Sequence, residues 1–440
     1  MISAYAVLSI QPELRLAVPL LVGVTACITM ILATIFYNGA SVKGLWSPAV
    51  ILVVAVAVRF LFLFNPPQLS DDIYRYLWDG SNLLRGVNPY AVAPSAVKPL
   101  PESALIHSRI NHPQYVTIYP PAAQLVFATG AALGGNVTGL KLFLILLDVS
   151  LCAILIKLLL HLGMPPWHSV LYAWNPLPVL EIAGSGHVDG AGLTMLFASI
   201  CLLVTHRQNV SGNLPRKWPF FISGALLACA CLVKLYPFAF IPVLLFLVPQ
   251  GRLSHFFVGY MSAMAALLLM FMPHLVNMIA SLETYARNWE FAGFAFTEIR
   301  SMSGSGTAAR LLLSGSFIVA VVAISTRLAG CIRNVATTFR RECCVMNACY
   351  AIAMTQLLLT PTLQPWYALS LAVFLPFCAG PSGLILCWVV LLTYQVQISY
   401  FIMGTWAESA WVTAAVFLSP MMAFLLSKVC REFLPAAAAE

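Results

Sequence analysis

Hydrophobic residues in this chain come in long runs almost free of charge, not in alternating or one-faced patterns. They fall at about 16–36, 47–65, 121–137, 140–162, 168–183, 188–205, 219–233, 237–249, 256–279, 308–326, 342–360, 367–379, 384–403 and 410–427. A helix needs about 20 apolar residues to cross about 30 Å of hydrocarbon, so these runs predict a bundle of transmembrane helices. Basic residues gather in short connections: Arg207, Arg216 and Lys217; Arg252; Arg327, Arg333, Arg340 and Arg341; Lys428 and Arg431. The positive-inside bias assigns these, the C-terminus and Lys43 to the cytoplasm. The segments 66–120, 280–307, 361–366 and 404–409 then face outside. Four full crossings between 121 and 205 would put the basic loop 206–218 on the wrong side, so one run must stop short. The run 121–137, opened by Pro120-Pro121 and closed by Gly134-Gly135, is the expected exception. The expectation is an all-α polytopic membrane protein, a single domain over 1–440 with about thirteen transmembrane helices and the N-terminus outside. Its large first external loop, 66–120, carries juxtamembrane helices, and 280–307 forms a second external loop.

Composition agrees and excludes other classes. The chain is 61% hydrophobic and 9% charged with a mean hydropathy of +0.89, which rules out a soluble enzyme, a nucleic-acid binder and a disordered scaffold. The net charge of +8 is spread over many loops, so it reads as sidedness and not as a basic patch for nucleic acid. The opening MISAYAVLSIQPELR lacks a charged n-region and a cleavage site and reads as a short tail before the first span. The twelve cysteines fall in spans or cytoplasmic loops and imply helix packing, with neither a disulfide framework nor a zinc site.

Polar chemistry concentrates in the first external loop. Ser70 is placed to cap a helix beginning at Asp71, and the macrodipole favours Asp71 and Asp72 in its first turn. Asp72, Arg75, Tyr76 and Asp79 share one face while Ile73, Leu77 and Leu84 turn to another, which predicts an amphipathic helix along the outer membrane surface. A second group is the turn GSGHVDG at 184–190, whose glycines let it present His187 and Asp189, just after Glu181. Lys234, in CLVKLYPF at the apex of a short hairpin, is a charge near membrane depth. Arg287, Arg300 and Arg310, and the turn Gln364-Pro365-Trp366-Tyr367, complete the external candidates. Each has a plainer reading: interfacial anchoring, a capped turn, a snorkelling lysine or an aromatic belt. Arg59, Lys141 and Asp148 lie within spans, where internal pairing or snorkelling is the simpler account.

The pieces SDDIYRYLWDG, GVNPY, INHPQYVTIYPPAAQ, AWNPLPVLEIAGSGHVDG, LVKLYPF and PWYAL, in this order over most of the chain, closely resemble the polyprenyl-phosphate-sugar-dependent glycosyltransferases of the GT-C superfamily, especially bacterial mannosyltransferase-like members. The resemblance implies a GT-C-like bundle and an enzyme that takes a sugar from a lipid phosphate on the external, periplasmic face of a bacterial inner membrane. An acidic residue of the first external loop would be the base. That residue is Asp72 or Asp71: Tyr76 and Asn88-Pro89-Tyr90 favour Asp72, whereas relatives with an Asp-Glu pair favour Asp71. One departure is Gln364, where similar proteins carry His.

Displacing phosphate from an anomeric carbon requires a base for the acceptor hydroxyl and cations for the phosphate. The expected site therefore has Asp72 and Asp71 as catalytic residues. Substrate contacts are expected from Arg75, Tyr76, Asp79, His112 and Tyr119 in the first loop, then from His187, Asp189, Lys234, Arg300, Arg310, Gln364, Trp366 and Tyr367. No cofactor is required; a divalent ion on the Asp pair with His187 is the less favoured option. The partners are a polyprenyl-phosphate sugar, a glycan or glycolipid acceptor and membrane lipid. The alternative is a transporter or lipid-linked sugar flippase whose path is lined by Arg59, Lys141 and Asp148, against which stands the absence of an inverted repeat.

Overall fold

The computed structural model describes residues 1–38, 47–207, 216–333, 338–378 and 380–433. Lys43, residues 208–215 of the basic loop and Ala437–Ala439 lie outside the described residues. The described chain is all-helical, without a strand; isolated bridges join Phe291 and Ala292 to Thr362. Among the described residues eight helices are long and apolar enough to cross a membrane: Val18–Tyr37, Val137–His161, Asp189–His206, Gln250–Met270, Gly306–Arg333, Arg341–Leu359, Pro381–Met403 and Ala410–Lys428. Pro48–Phe60, Trp218–Val233 and Tyr236–Leu247 are shorter apolar helices. The protein is thus a multi-pass helical membrane protein, and the expected count of thirteen spans is not confirmed.

Local chemistry explains the differences. The run 168–183 contains Asn175 followed by Pro176, so it breaks into Pro166–Ser169, Val170–Ala173, Pro176–Pro178 and Val179–Gly184. The run 367–379 is likewise short pieces, Pro365–Ala368 and Leu369–Ala372. The run 256–279 divides at Pro273 into Leu253–Met270 and Leu275–Asn288. Pro121–Ala132 has 12 residues, about 18 Å at the usual helical rise, which is too short to cross alone.

Two expectations about the surface change. The opening segment is no loose tail: Ile2–Ser9 is helical, Tyr5 and Leu8 are sealed in the core, and the Tyr5 hydroxyl donates to the Trp174 carbonyl at 2.8 Å. The first-loop helix begins at Asp72, one residue later than expected, with the Ser70 hydroxyl accepting from the Asp72 amide at 3.3 Å. It spans Asp72–Leu84, and every residue from Ile73 to Gly80 is buried, so it is packed into the protein instead of lying along a membrane surface. The covering element is Pro121–Ala132. A side chain at Gly80 would meet the Phe127 carbonyl oxygen at 2.3 Å, so this close approach requires glycine. It also lays Tyr76 flat on Phe127, ring centroids 4.3 Å apart.

Candidate active site

The segments expected outside converge on one cavity of about 850 Å³. Its wall draws on the first loop through Gln68–Asp72 and Asn111–Pro120, on the second through Ser281–Phe291, on Gln364, Trp366 and Tyr367, and on Trp406. Among the described residues, none of the basic side chains expected in the cytoplasm lines it. Chain segments far apart in sequence therefore share one end of the bundle, as the charge pattern requires.

Asp72 is the most elaborately held carboxylate of that wall. Its side chain is 20% exposed. Oδ2 accepts from the Tyr119 hydroxyl at 3.0 Å and Oδ1 from the Asn111 amide at 3.1 Å. Tyr76 donates to the Tyr119 hydroxyl at 3.0 Å, with its own oxygen 3.4 Å from Asp72. Burial, with the charge of Asp72 adding to it, pushes both phenols well above their usual value and keeps them protonated donors. Hydrogen bonds to the ionised form stabilise a carboxylate while leaving it open to the cavity.

Across the cavity, Lys234 follows the helix Trp218–Val233 in an extended conformation. Its Nζ lies 3.2 Å from Asp189 Oδ2, 5.1 Å from the Tyr119 ring centre and 6.0 Å from that of Tyr367. Asp189 opens the helix Asp189–His206. The turn before it has Gly186 at φ +79, and a side chain there would sit 2.4 Å from Ile73 Cδ1, so glycine brings this turn against the first-loop helix. His187 follows, fully buried and absent from the cavity wall, with its ring on Trp366 at 4.0 Å. Nδ1 is 3.9 Å from Asp72 Oδ2 and Nε2 is 3.5 Å from Glu181 Oε2. Burial pushes His187 down to about 3, with Asp72 opposing and Lys234 reinforcing, so the ring is neutral.

The expected residues thus divide. Asp71, Asp72, Arg75, His112, Tyr119, Asp189, Lys234, Gln364, Trp366 and Tyr367 line the cavity. Asp79 does not: it accepts from buried Arg75 at 2.9 Å, and that pair anchors the loop through an Arg75 bond to the Tyr115 carbonyl at 3.0 Å. Arg300 and Arg310 also stay off the wall, both bound to Glu290, the latter at 3.0 Å. Arg287 pairs with Glu283 at the surface. Among the described residues no three His, Cys, Asp or Glu side chains gather as a metal-ligand set, so the Asp pair and His187 do not form one. Nothing in the sequence singled out Arg15, Asn111, Tyr285, Glu290 or Tyr394, and Glu181 stood out only as the neighbour of the turn 184–190. Asn111 stood beside His112 in the motif INHPQY, whereas Arg15 gave no signal because its segment read as a tail.

The charges inside the bundle are spent on the protein itself. Arg59 Nε meets Asp148 at 2.6 Å, Tyr172 donates to Asp148 at 2.6 Å, and Lys141 donates to the carbonyls of Phe62 and Asn65. None of these lines the cavity.

A multi-pass helical protein that gathers an acid, a lysine and aromatic rings around one cavity at one end of its bundle has the build of a membrane-embedded enzyme. A family model described as the alpha-(1->6)-mannopyranosyltransferase N-terminal domain matches residues 4–250, more than half of the chain, and the chain belongs to that family of glycosyltransferases. No curated protein and no solved structure matches it.

Proposed function

We propose that the protein transfers a hexose, mannose first, from a polyprenyl-phosphate donor to a hydroxyl of an envelope glycan or glycolipid. The reaction takes place at the periplasmic face of a bacterial inner membrane. Asp72 removes the acceptor proton as the acceptor oxygen attacks the anomeric carbon. The bond from that carbon to the phosphate oxygen breaks, and the phosphate leaves with the electron pair, inverting the configuration. Lys234, held over the cavity by Asp189, meets the leaving phosphate. Aromatic faces such as Trp366, Tyr367 and Trp289 suit sugar rings.

The observation that carries this reading is the Asp72 carboxylate, open to the cavity and oriented by Tyr119 and Asn111. The test is transfer from radiolabelled polyprenyl-phosphate mannose by the purified protein in lipid. Asp72→Asn keeps shape and volume but cannot take a proton, so turnover should fall by about 10² to 10⁴ with folding and donor binding retained. Wild-type protein that binds donor yet moves it without releasing sugar would defeat the proposal in favour of a flippase.

A further inference from the structure

The mechanism above leaves a buried group unused. Resting on the transferase reading, we propose that Glu181 and His187 are positioning residues: neutral Glu181 fixes the tautomer of His187, and His187 directs an N–H at Asp72 so that the base stays ionised.

His187 lies between two carboxyl groups, Glu181 at 3.5 Å and Asp72 at 3.9 Å, and among the described residues neither ring nitrogen has a hydrogen-bond partner, so these two carboxyl groups are the polar groups the ring can turn to. Stacking on Trp366, at an interplanar angle of 22°, holds the plane of the ring. The groups facing it are Asp72 from the first-loop helix, Glu181 from Val179–Gly184, and Lys234 from the end of Trp218–Val233. Glu181 is fully buried and faces the Tyr394 hydroxyl and Asp189 as well. Among the described residues no Lys or Arg stands within ion-pair distance of it; His187 is its one basic neighbour.

A carboxyl sealed from water without a cation is more stable as the neutral acid. The two oxygens of Glu181 then take different parts. The Tyr394 hydroxyl lies 2.8 Å from Oε1 and 2.9 Å from Oε2, so it can donate to either; with its hydrogen turned to Oε1, Oε2, the oxygen near His187, is left to carry the proton toward Nε2. A neutral imidazole that accepts at Nε2 carries its own hydrogen on Nδ1, and Nδ1 faces Asp72. The three groups hold one negative charge, on the member that reaches the cavity. The acceptor's proton goes no further than Asp72 and leaves by the cavity.

The acidic limb of the kcat/KM profile against pH reports the ionisation of the base in the free enzyme. Removing the N–H with His187→Leu should move that limb up by about half a pH unit, less than a formed hydrogen bond to a charged group would give, because Nδ1 stands 3.9 Å from Asp72. Glu181→Gln, whose amide still donates to Nε2, should hold the limb in place while lowering kcat several-fold, because an amide is the weaker donor. An unmoved limb in His187→Leu overturns the proposal. So does a limb that falls in Glu181→Gln, because an ionised Glu181 would have drawn the ring hydrogen to Nε2. A second readout needs no folded Leu variant: the infrared difference between wild type and Glu181→Gln at neutral pH should contain a protonated-carboxyl band, and its absence overturns the proposal. If wild type transfers no sugar, the transferase reading fails while the infrared band still decides the state of Glu181.

Discussion

Arg59 with Asp148 and Lys234 with Asp189 are both ion pairs between residues far apart in sequence, and both involve a buried Asp. Their surroundings differ. Arg59 and Asp148 are fully sealed, and Arg59 also donates to the carbonyls of Ala55 at 3.0 Å and Ala173 at 2.7 Å. Lys234 keeps 16% of its side chain exposed and has one ionic partner among the described residues, Asp189. An ammonium with three donors and one anion, on the cavity wall, can still take a phosphate; Arg59 also leaves its Nη2 without a hydrogen-bond partner among the described residues, but that group is sealed away from the cavity and no phosphate can reach it. Burial alone therefore does not mark a functional charge in this bundle. The donors left over, and the cavity they face, do.

The largest expected effect tests the sealed side of that contrast. Arg59→Met leaves Asp148 buried with only Tyr172 beside it, and removing one partner of a buried pair typically costs about 3–5 kcal/mol. Thermal unfolding in detergent should show the loss, while turnover per folded molecule changes little. A variant as stable as wild type, or one stable but inactive, would break the distinction between the two pairs.

The same contrast explains what could be read from the sequence. Length and charge pattern sufficed for the helical class, and the polar density of 66–120 pointed to the pair Asp71 and Asp72, between which only the resemblance chose. Lys234 was legible since a cation in an apolar run has few explanations. Arg300 and Arg310 were misleading because their partner Glu290 lies 10 and 20 residues away, a pairing that depends on how two helices turn back. Glu181 and Tyr394 are 213 residues apart, so their contact has no local trace. The broken runs at 168–183 and 367–379 kept their hydrophobicity because they are buried, and hydropathy alone cannot separate a buried irregular segment from a span.

A smaller effect sharpens the open side. Lys234→Ala should raise the donor KM about tenfold, equivalent to about 1.4 kcal/mol, and leave the acceptor KM nearly unchanged. Lys234→Arg should restore part of the donor affinity, since charge is kept while the compact ammonium geometry is lost. Steady-state kinetics with each substrate varied in turn would decide it. An unchanged donor KM in the Ala variant would reduce Lys234 to a partner for Asp189, and the two pairs would then be alike.

The smallest effect concerns the acid that lies next to the proposed base in sequence. Asp71 is the residue preceding the first-loop helix, exposed, and its side chain makes no capping bond. What it offers is a negative charge at a helix N-terminus, worth about 0.3–1 kcal/mol. Asp71→Asn should therefore cost no more than that in stability, and less than about fivefold in turnover. Asp72→Asn differs because Tyr119 and Asn111 donate to that carboxylate and the Tyr76 hydroxyl lies beside it, whereas among the described residues Asp71 is met only by the charges of Arg15, Asp72 and Arg109. The two residues are adjacent, and partial burial, with the charge of Asp72 adding to it against Arg15, raises the Asp71 carboxyl, so the effects of the double variant need not add. An inactive Asp71→Asn beside an Asp72→Asn of near-normal turnover would move the base to Asp71, and exposure to solvent would then outrank orientation by neighbours in this site. Normal turnover in both would remove the carboxylate from the chemistry altogether.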